Sequence, residues 1–516
     1  MAGLIKKISL TAGLMLLLAS AHTSAADHEL IKDAGDELIQ SLEEAGYWVG
    51  KGEFKYFETK DCEKIVETVG HCYGNNPASP YGLYFLPPAP GEYRDEERYS
   101  YFAESMGTGD LWPFWRMQKN EAIIFIGLTP PPHAYFGFRS YVYSSTSPNW
   151  FVANIRPFDL IFNQSLDPNR RDIFASLGPS LNNFTINTAD GESFNSPTAV
   201  ITTADTQTEQ DIREHIDSIF TEFGLGTDAI NTDKVPANYV KLGYRERADN
   251  FMMLARSAYP ESEEDASAYR TSPPVTILRV VPPTKPGLFW PTRIKAERLP
   301  ERKTTWNEKH LKAAQDALVD AVIARYSTPD NEYRVQGALK MSFLSGYLCI
   351  WINIGCLGDN PDTTYTATLG KQTLADNDQE FIVAVGINHT EATSADGQFT
   401  GKAAYTNLGV YNGDKLMGVT SMRDREFKGS TESYLPFVNA TANGVNPVEL
   451  AGDQLYAVVI ARNCNGFSHC LEVPTGELGL PLDANLQLIT RAYVNPETLT
   501  GPDYGEILSP KYVRFQ

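Results

Sequence analysis

Apolar residues recur at helical spacing in two segments of the chain. In 28–45 they lie one to four positions apart, at Leu30, Ile31, Ala34, Leu38, Ile39, Leu42 and Ala45. In 208–224 they fall at Ile212, Ile216, Ile219, Phe220 and Phe223. Because one face of a helix collects every third or fourth residue, both segments are predicted to be amphipathic helices. The segment 306–326 is predicted to be a third, long helix.

Short apolar runs between these helices predict strands. They lie at 121–129, 134–144, 197–205 and 274–281. The first two runs are separated only by Pro130, Pro131, Pro132 and His133, so they are predicted to form a hairpin with a stiff connection. The alternation of strands and helices favours an α+β or α/β organisation for this part of the chain.

The pattern changes from about residue 333 onward. Short apolar runs there are separated by glycine, asparagine and aspartate, which is typical of a β-sandwich or barrel. The basic, proline-punctuated segment 282–305 is the best candidate boundary. We therefore predict an α+β protein with a mixed α/β N-terminal domain over 27–305, a connecting helix over 306–328 and a β-rich C-terminal domain over 329–516.

The first 26 residues have the pattern of a secretory signal peptide. Lys6 and Lys7 precede the apolar run 8–19, and small residues occupy 23–26. No later segment reaches the roughly 18 to 20 apolar residues that a membrane-spanning helix needs. We therefore expect a secreted or periplasmic protein without membrane insertion.

The six cysteines form three pairs of near neighbours along the sequence. These pairs are Cys62 with Cys72, Cys349 with Cys356, and Cys464 with Cys470. An oxidising compartment favours disulfides. The sequence alone does not select one pairing, but local pairing needs no long-range coincidence. A zinc site is the alternative, because His71 and His469 each precede a cysteine, although no pair has close CxxC spacing.

The formal net charge of −20 argues against nucleic acid and anionic membranes as partners. Acidity of this kind is typical of solubility outside the cytoplasm, and calcium binding is the alternative. Two clusters of oxygen ligands are candidates for it: Asp359, Asn360 and Asp362, and Asp376, Asp378 and Glu380. Neither has the spacing of an EF-hand. We expect no cofactor apart from this possible calcium.

Familiar catalytic motifs are absent from the sequence. It contains no G-x-S-x-G nucleophile elbow, no H-E-x-x-H, no Walker loop and no G-x-G-x-x-G after a strand. An ordinary α/β-hydrolase is therefore disfavoured, and the function must be sought in constellations of lower specificity.

One predicted strand places an arginine among tyrosines. Period-two alternation puts Tyr135, Arg139, Tyr141 and Tyr143 on one face. A guanidinium among phenols suits a sugar ring or a carboxylate, so Arg139 and Tyr141 are candidate substrate-binding residues. The alternative is a half-exposed strand whose tyrosines cover a neighbouring layer.

Aromatic residues that precede this strand extend the candidate site. Tyr81 lies in the loop-like segment 70–92, which is rich in proline, glycine and asparagine. Trp112 and Trp115 follow it. Flat rings outside the cell often stack on carbohydrate, so these three residues are predicted to bind substrate. The alternative is that the tryptophans belong to the core.

His133, Asp95 and Glu104 are the candidate catalytic residues. His133 ends a proline-stiffened turn beside the arginine strand, and the two acids follow the loop 70–92. The alternative is that the histidine is incidental and the acids belong to a charged surface.

These residues favour a hydrolase acting on a small-molecule or glycan substrate, a carbohydrate or similar hydroxyl-rich compound. A non-catalytic secreted carbohydrate-binding or envelope-interaction protein is the alternative. The sequence does not predict the oligomeric state.

Overall fold

The computed structural model describes residues 27–146, 170–178, 180–283, 292–297, 299–329, 331–342, 345–377, 379–439 and 444–516. The predicted signal peptide, residues 1–26, lies outside this range. Among the described residues, no helix has the length and apolar content needed to cross a bilayer.

Ten strands in the described N-terminal part form one sheet that curls into a half-barrel. They are β1 (Trp48–Phe57), β2 (Tyr81–Phe85), β3 (Ala122–Leu128), β4 (His133–Thr146), β5 (Arg170–Ser176), β6 (Leu181–Asn182), β7 (Pro197–Thr203), β8 (Ile230–Lys234), β9 (Asn250–Pro260) and β10 (Val275–Val281). Their order is β5-β4-β9-β2-β1-β10-β3-β7-β8, with β6 beside β4. Neighbours are antiparallel except β7 and β8, which are parallel.

Helices cover parts of this sheet. They are α1 (27–44), α2 (Cys62–Val69), α3 (Glu96–Met106), α4 (Thr206–Glu222) and α5 (Glu263–Thr271). Leu38 of α1 and Ile212 of α4 belong to one hydrophobic cluster with Ile124 of β3, Ile201 of β7 and Leu278 of β10. The predicted amphipathic faces of α1 and α4 are thus the faces that are buried.

Two five-stranded sheets make up the β-structure of the described C-terminal part. One has the order β11-β20-β14-β17-β18 and the other β12-β13-β19-β15-β16. The strands are β11 (Tyr333–Gly337), β12 (Leu339–Lys340), β13 (Thr363–Ala367), β14 (Phe381–Ile387), β15 (Tyr405–Asn412), β16 (Met417–Arg423), β17 (Leu455–Ala461), β18 (Cys470–Glu472), β19 (Leu486–Tyr493) and β20 (Lys511–Phe515). Ile382 and Val458 of the first sheet share a hydrophobic cluster with Leu408 and Leu488 of the second.

The remaining helices belong to this C-terminal part. They are α6 (Lys312–Tyr326), α7 (Gly346–Ile352), α8 (Asp424–Phe427) and α9 (Pro447–Ala451). Leu318 and Val322 of α6 cluster with Val383 and Val385 of β14. This confirms the long helix that was predicted over 306–326, although its α-helical part begins only at Lys312.

The α+β class is confirmed by this mixture of helices and sheets. The division into two domains, with boundaries near 305 and 328, stays a prediction.

The predicted hairpin between the runs 121–129 and 134–144 is wrong. β3 pairs with β10 and β7, whereas β4 pairs with β9, β5 and β6. Prolines lack the backbone N–H that a hairpin ladder uses. The connection Pro130–Pro132 therefore links two strands that lie far apart in the sheet.

The ten-stranded sheet also contacts the second C-terminal sheet directly. Tyr135 of β4 and Ala258 of β9 form a small buried cluster with Tyr405 of β15 and Tyr493 of β19. The rings of Tyr405 and Tyr493 are stacked with centroids 4.5 Å apart. This contact forms one border of the cavity described next.

Candidate ligand-binding cavity

A cavity lies where β2, β4 and β9 face β13 and β19. The residues of these five strands that line it are Tyr81, Leu83, Tyr143, Met252, Leu254, Arg256, Tyr365, Arg491 and Tyr493. Because alternate residues of a strand point to the same face, Met252, Leu254 and Arg256 project into it together. Residues outside these five strands complete the lining: Phe57, Cys72, Tyr73, Gly74, Phe102, Phe114, Phe174, Leu357 and Gly358.

The cavity is narrow and mostly apolar. Its volume is about 60 Å³, which is room for several waters. Its described lining includes no aspartate, glutamate or histidine. The charged groups of that lining are two guanidiniums, those of Arg256 and Arg491.

Arg256 is held by the sheet and by the loop after Cys356. Its Nη1–H donates to the Tyr141 hydroxyl at 2.5 Å, and its Nη2–H donates to the Gly358 carbonyl at 2.9 Å. The guanidinium carbon lies 5.6 Å from the ring centroid of Tyr81 and 5.3 Å from that of Tyr141. The side chain is therefore fixed in position, but by neutral groups.

Arg491 has fewer partners. Its Nη1–H donates to the Tyr411 hydroxyl. Its guanidinium carbon lies 5.1 Å from the centroid of Tyr411 and 5.6 Å from that of Tyr365. Within the described residues, no acceptor bonds its Nε or Nη2 groups. These N–H groups remain available to a ligand in the cavity.

Neither guanidinium has an anionic partner in the described part of the chain. No described carboxylate oxygen lies within 4.0 Å of Arg256 or Arg491. The surrounding groups are phenols, and burial raises the pKa of Tyr141 to about 12. Burial likewise raises the pKa of Tyr365 well above its usual value. These phenols are neutral near pH 7, so they supply hydrogen bonds but no opposite charge.

Two disulfides brace the cavity walls. Cys62 and Cys72 are bonded with Cα atoms 5.4 Å apart, and Cys72 is followed by the lining residues Tyr73 and Gly74. Cys349 and Cys356 are bonded with Cα atoms 5.8 Å apart, and Leu357 and Gly358 follow. Tyr73 and Leu357 each have a φ of 54°, a left-handed conformation that is uncommon for such residues. The disulfides restrain both of these turns.

All three predicted cysteine pairings are confirmed. The third bond joins Cys464 and Cys470, whose Cα atoms are 5.6 Å apart, and neither cysteine lines the cavity. Three disulfides are compatible with a secreted protein.

The structure brings one of the predicted substrate-binding residues to this cavity and places a second beside one of its lining arginines. Tyr81 lines it, and Tyr141 holds Arg256. Arg139 is 2% exposed and is absent from the lining. It donates to the carbonyls of Leu177 and Gly178 at 3.3 and 2.9 Å. Its Nη2 lies 3.8 Å from Oδ1 of Asp362.

Trp112, Trp115 and Asp95 lie together elsewhere. They line a tight crevice that also contains Glu92 and Arg279. Both tryptophans are buried, with 7% and 3% of their surface exposed. They therefore lie in the core, which was the alternative interpretation, and they do not form an open stacking platform.

His133 and Glu104 do not line the cavity. His133 is buried, and its Nδ1–H donates to the Pro131 carbonyl at 2.5 Å. Burial lowers the pKa of His133, which favours the neutral imidazole. Glu104 lies on the exposed side of α3. Their predicted catalytic roles, like that of Asp95, stay predictions.

Two of the candidate calcium ligands, Asp359 and Asp362, are engaged within the protein. Asp359 accepts hydrogen bonds from the Ser176 N–H at 2.8 Å and the Gly346 N–H at 2.9 Å. Asp362 accepts one from the Tyr135 hydroxyl at 2.9 Å. Asp378 lies outside the described residues. Within the described part, no three His, Cys, Asp or Glu side chains are grouped so that they could hold a metal ion.

Sequence reasoning missed Arg256 and Arg491. Each is the single charged residue within an apolar strand, in "FMMLARSAY" and "LQLITRAYV". A buried strand rarely includes an unpaired arginine, because burying a charge is costly. The lone arginine in an apolar segment was a signal for a buried cation at both positions, and the fold decides whether that cation is paired.

No family model matches the chain, and no curated protein matches it. Among solved structures, the chain is similar to an uncharacterized protein from Burkholderia cenocepacia at 11% identity, with a TM-score of 0.35. That match covers 96% of this chain and 97% of the other. The VPA0106 protein from Vibrio parahaemolyticus is 10% identical with a TM-score of 0.35, and the match covers 88% of this chain and 99% of that one. These similarities assign neither a family nor a function.

Proposed function

We propose that this protein binds a small, largely apolar molecule in the cavity and does not transform it. The observation that carries the proposal is the composition of the described lining, which combines phenyl, phenol and aliphatic groups with two guanidiniums and includes no carboxylate or imidazole. Cavities of this kind, with few convergent polar groups, are typical of ligand sites.

The same walls argue against a carbohydrate in this cavity. Phe57, Phe102, Phe114 and Phe174 offer no hydrogen-bond partner to a hydroxyl. A sugar hydroxyl that faces these phenyl rings would be buried without a partner, at a cost of a few kcal/mol. The tyrosines and arginines of the lining would serve only the other hydroxyls. An aromatic or aliphatic body would instead pack against the rings.

A hydrolase would need an acid or base within reach of the substrate. The described lining supplies no carboxylate or imidazole for this role, only the phenols of tyrosines, and His133, Glu104 and Asp95 lie outside it. The structure therefore favours the binding hypothesis over the hydrolase hypothesis, which the experiment below also tests.

We extend the proposal to the compartment. Three disulfides support folding in an oxidising environment. Together with the signal peptide predicted over residues 1–26, they favour a secreted or periplasmic protein that encounters its ligand outside the cytoplasm.

Ligand-observed NMR on the purified, exported protein tests the proposal. The panel contains aromatic alcohols, amides and carboxylic acids, together with oligosaccharides and carboxylic esters, and mass spectrometry follows any product. We expect small aromatic molecules to bind unchanged and oligosaccharides to give no signal from the cavity.

A cavity-filling variant supplies the location. Leu254→Trp places a large ring in the lining and is expected to abolish binding. Leu450→Trp is the matched control, because Leu450 is 78% exposed on α9. Binding that survives Leu254→Trp would contradict the proposal. Ester or glycan turnover that is lost in His133→Ala would instead establish the hydrolase.

A further inference from the structure

We propose that the ligand of this cavity is an organic anion, a carboxylate with an apolar or aromatic body, whose carboxylate bonds Arg256 and Arg491. This inference rests on the proposed function and narrows it to one chemical class. It follows from charge balance, from the free donors and from the arrangement of the rings.

Charge balance is the first argument. Arg256 and Arg491 are each 5% exposed, and neither meets a described carboxylate. A buried cation without an anion is unfavourable, because water is removed and nothing replaces its solvation. A bound carboxylate would supply the missing charge.

Free donors are the second argument. The Nε and Nη2 groups of Arg491 have no acceptor within the described residues, and neither does the Nε of Arg256. A planar guanidinium fork matches the two oxygens of a carboxylate better than it matches a neutral group. Both arginines line the same cavity, and the proposal places one anion between them.

The arrangement of the rings is the third argument. Phe114 stacks on Tyr143 with centroids 4.0 Å apart, and Phe102 meets Phe114 edge-on at 5.5 Å. The guanidiniums lie instead beside tyrosines, Arg256 by Tyr81 and Arg491 by Tyr365. The lining thus provides both phenyl walls and a cationic region, which fits a ligand with one anionic group and an apolar body.

Matched pairs of probes test this class. Calorimetry would compare benzoate with benzamide, and phenylacetate with phenylacetamide, since the members of each pair have nearly the same shape. We expect each acid to bind about tenfold or more tightly than its amide. Equal or tighter binding of the amides would overturn the anion proposal and leave the proposed function standing. Failure of all four probes to bind would count against both.

Sodium chloride provides a further arm of this test. If chloride alone stabilised the protein against heat as much as benzoate at the same concentration, the site would be one for an inorganic anion and the proposal would be wrong. We expect benzoate to give the larger rise in Tm, because it also fills the apolar part of the cavity.

The variant Arg491→Met tests whether Arg491 binds the ligand or supports the fold. Methionine keeps an apolar stem and removes the charge. We expect the variant to lose its preference for benzoate over benzamide. Without ligand, we expect its Tm to rise by about 2 °C, since an uncompensated charge has left the interior. A fall in Tm would show that Arg491 supports the fold and would overturn the proposal.

Arg334→Met is the matched control. Arg334 is exposed on β11. Its replacement should leave both the Tm and the preference for the acid unchanged. A loss of that preference in the control would point to long-range attraction by net charge and would contradict a local site.

Discussion

Arg279 and Arg491 are both buried arginines on β-strands, yet their surroundings are opposite. Arg279 is fully buried, and its Nε bonds Glu121 at 2.5 Å while its Nη1 bonds Glu92 at 2.6 Å. The Tyr244 hydroxyl donates to the same Glu121 at 2.7 Å. We call Arg279, Glu92, Glu121 and Tyr244 the Arg279 cluster. Arg491 has one phenol partner and no described carboxylate.

This difference teaches how a buried arginine can be assigned a role. In the Arg279 cluster the chain itself supplies the opposite charges, so the cluster is complete without a ligand. At Arg491 the described residues supply a cation and no opposite charge beside it. A complete ion network supports the fold, whereas an incomplete one facing a cavity favours a ligand.

The largest expected effect comes from breaking the complete network. Arg279→Met leaves Glu92 and Glu121 buried without a cation. We expect the free energy of unfolding in urea to fall by about 3 to 5 kcal/mol at pH 7, since removing one partner of a buried pair strands the other. Arg491→Met should change stability in the opposite direction.

The pH dependence of Arg279→Met sharpens this test. Burial raises the pKa of Glu121 even with Arg279 present, so the variant should raise it further. A carboxyl whose folded pKa is raised loses stability as pH rises through that pKa. The difference in free energy of unfolding between wild type and Arg279→Met should therefore become smaller as the pH is lowered from 7 to 5. If this difference did not depend on pH, the loss of stability would come mainly from lost packing and not from the unpaired carboxylates.

A second prediction concerns the cavity wall. The Cys349–Cys356 bond closes a loop of sequence separation 7, just before Leu357 and Gly358. We expect Cys349→Ala/Cys356→Ala to lower the free energy of unfolding by roughly 2 to 3 kcal/mol, because the unfolded chain gains freedom. Benzoate affinity should also fall, since the Gly358 carbonyl positions Arg256.

The bond Cys464–Cys470 is the matched control, with a sequence separation of 6 and no residue in the lining. Its removal should cost similar stability and leave benzoate affinity unchanged in calorimetry. If both double variants lost affinity equally, the wall would have no special role and the change would reflect global stability.

A third prediction concerns the pH dependence of stability at the cavity wall beside the Cys62–Cys72 bond. His71 precedes Cys72, and its Nδ1 accepts a hydrogen bond from the Tyr73 N–H at 3.3 Å. Burial lowers the pKa of His71 to about 4, from about 6.5 when unfolded. A lowered folded pKa gives stability that is fully present above pH 6.5 and is lost as pH falls towards 4. At pH 5 the loss should be about 2 kcal/mol.

The variant His71→Asn isolates this effect, because asparagine does not titrate. Asp233 has the opposite effect on the pH dependence of stability. Burial raises its pKa to about 6, so its protonation as the pH falls stabilises the folded protein. The quantity to measure is therefore the difference in urea midpoint between wild type and His71→Asn at pH 7 and pH 5. A constant difference would show that His71 does not titrate in this window.

Helices α1, α4 and α6 and many of the strands could be predicted from the sequence because their pattern is local, whereas a helix expected over 246–259 is strand β9 from Asn250 onward. The buried faces of α1 and α4 follow directly from the spacing of residues such as Leu38 and Ile212. Strand pairing is not local, and the hairpin predicted across Pro130–Pro132 failed for that reason. β3 and β4 find partners more than a hundred residues away in β10 and β9.

The candidate site shows the same limit. Tyr81 and Tyr141 were predicted to bind substrate; Tyr81 lines the cavity, whereas Tyr141 only contacts Arg256, which lines it. Arg139 attracted the prediction because it lies among tyrosines, but Arg256 on the paired strand is the residue that lines the cavity. The segments "TILRVV" and "LITRAY" look alike, so only the fold reveals that Arg279 meets two carboxylates and that Arg491 meets none among the residues the structure describes.

The smallest expected effect comes from an exposed ion pair, with which the two buried arginines can be compared. Lys312 bonds Asp316 at 2.5 Å on the surface of α6, with 59% and 40% of the two side chains exposed. Lys312→Met should change the free energy of unfolding by less than about 0.5 kcal/mol, because water solvates the carboxylate that remains and Lys511 still pairs with it at 2.6 Å. Urea unfolding in low and in 1 M salt would measure it, and salt should remove what effect there is. The same replacement of a cation by methionine is thus expected to cost much stability at Arg279, almost none at Lys312, and to add some at Arg491. A different order would mean that burial, and not the charge left behind, decides the outcome.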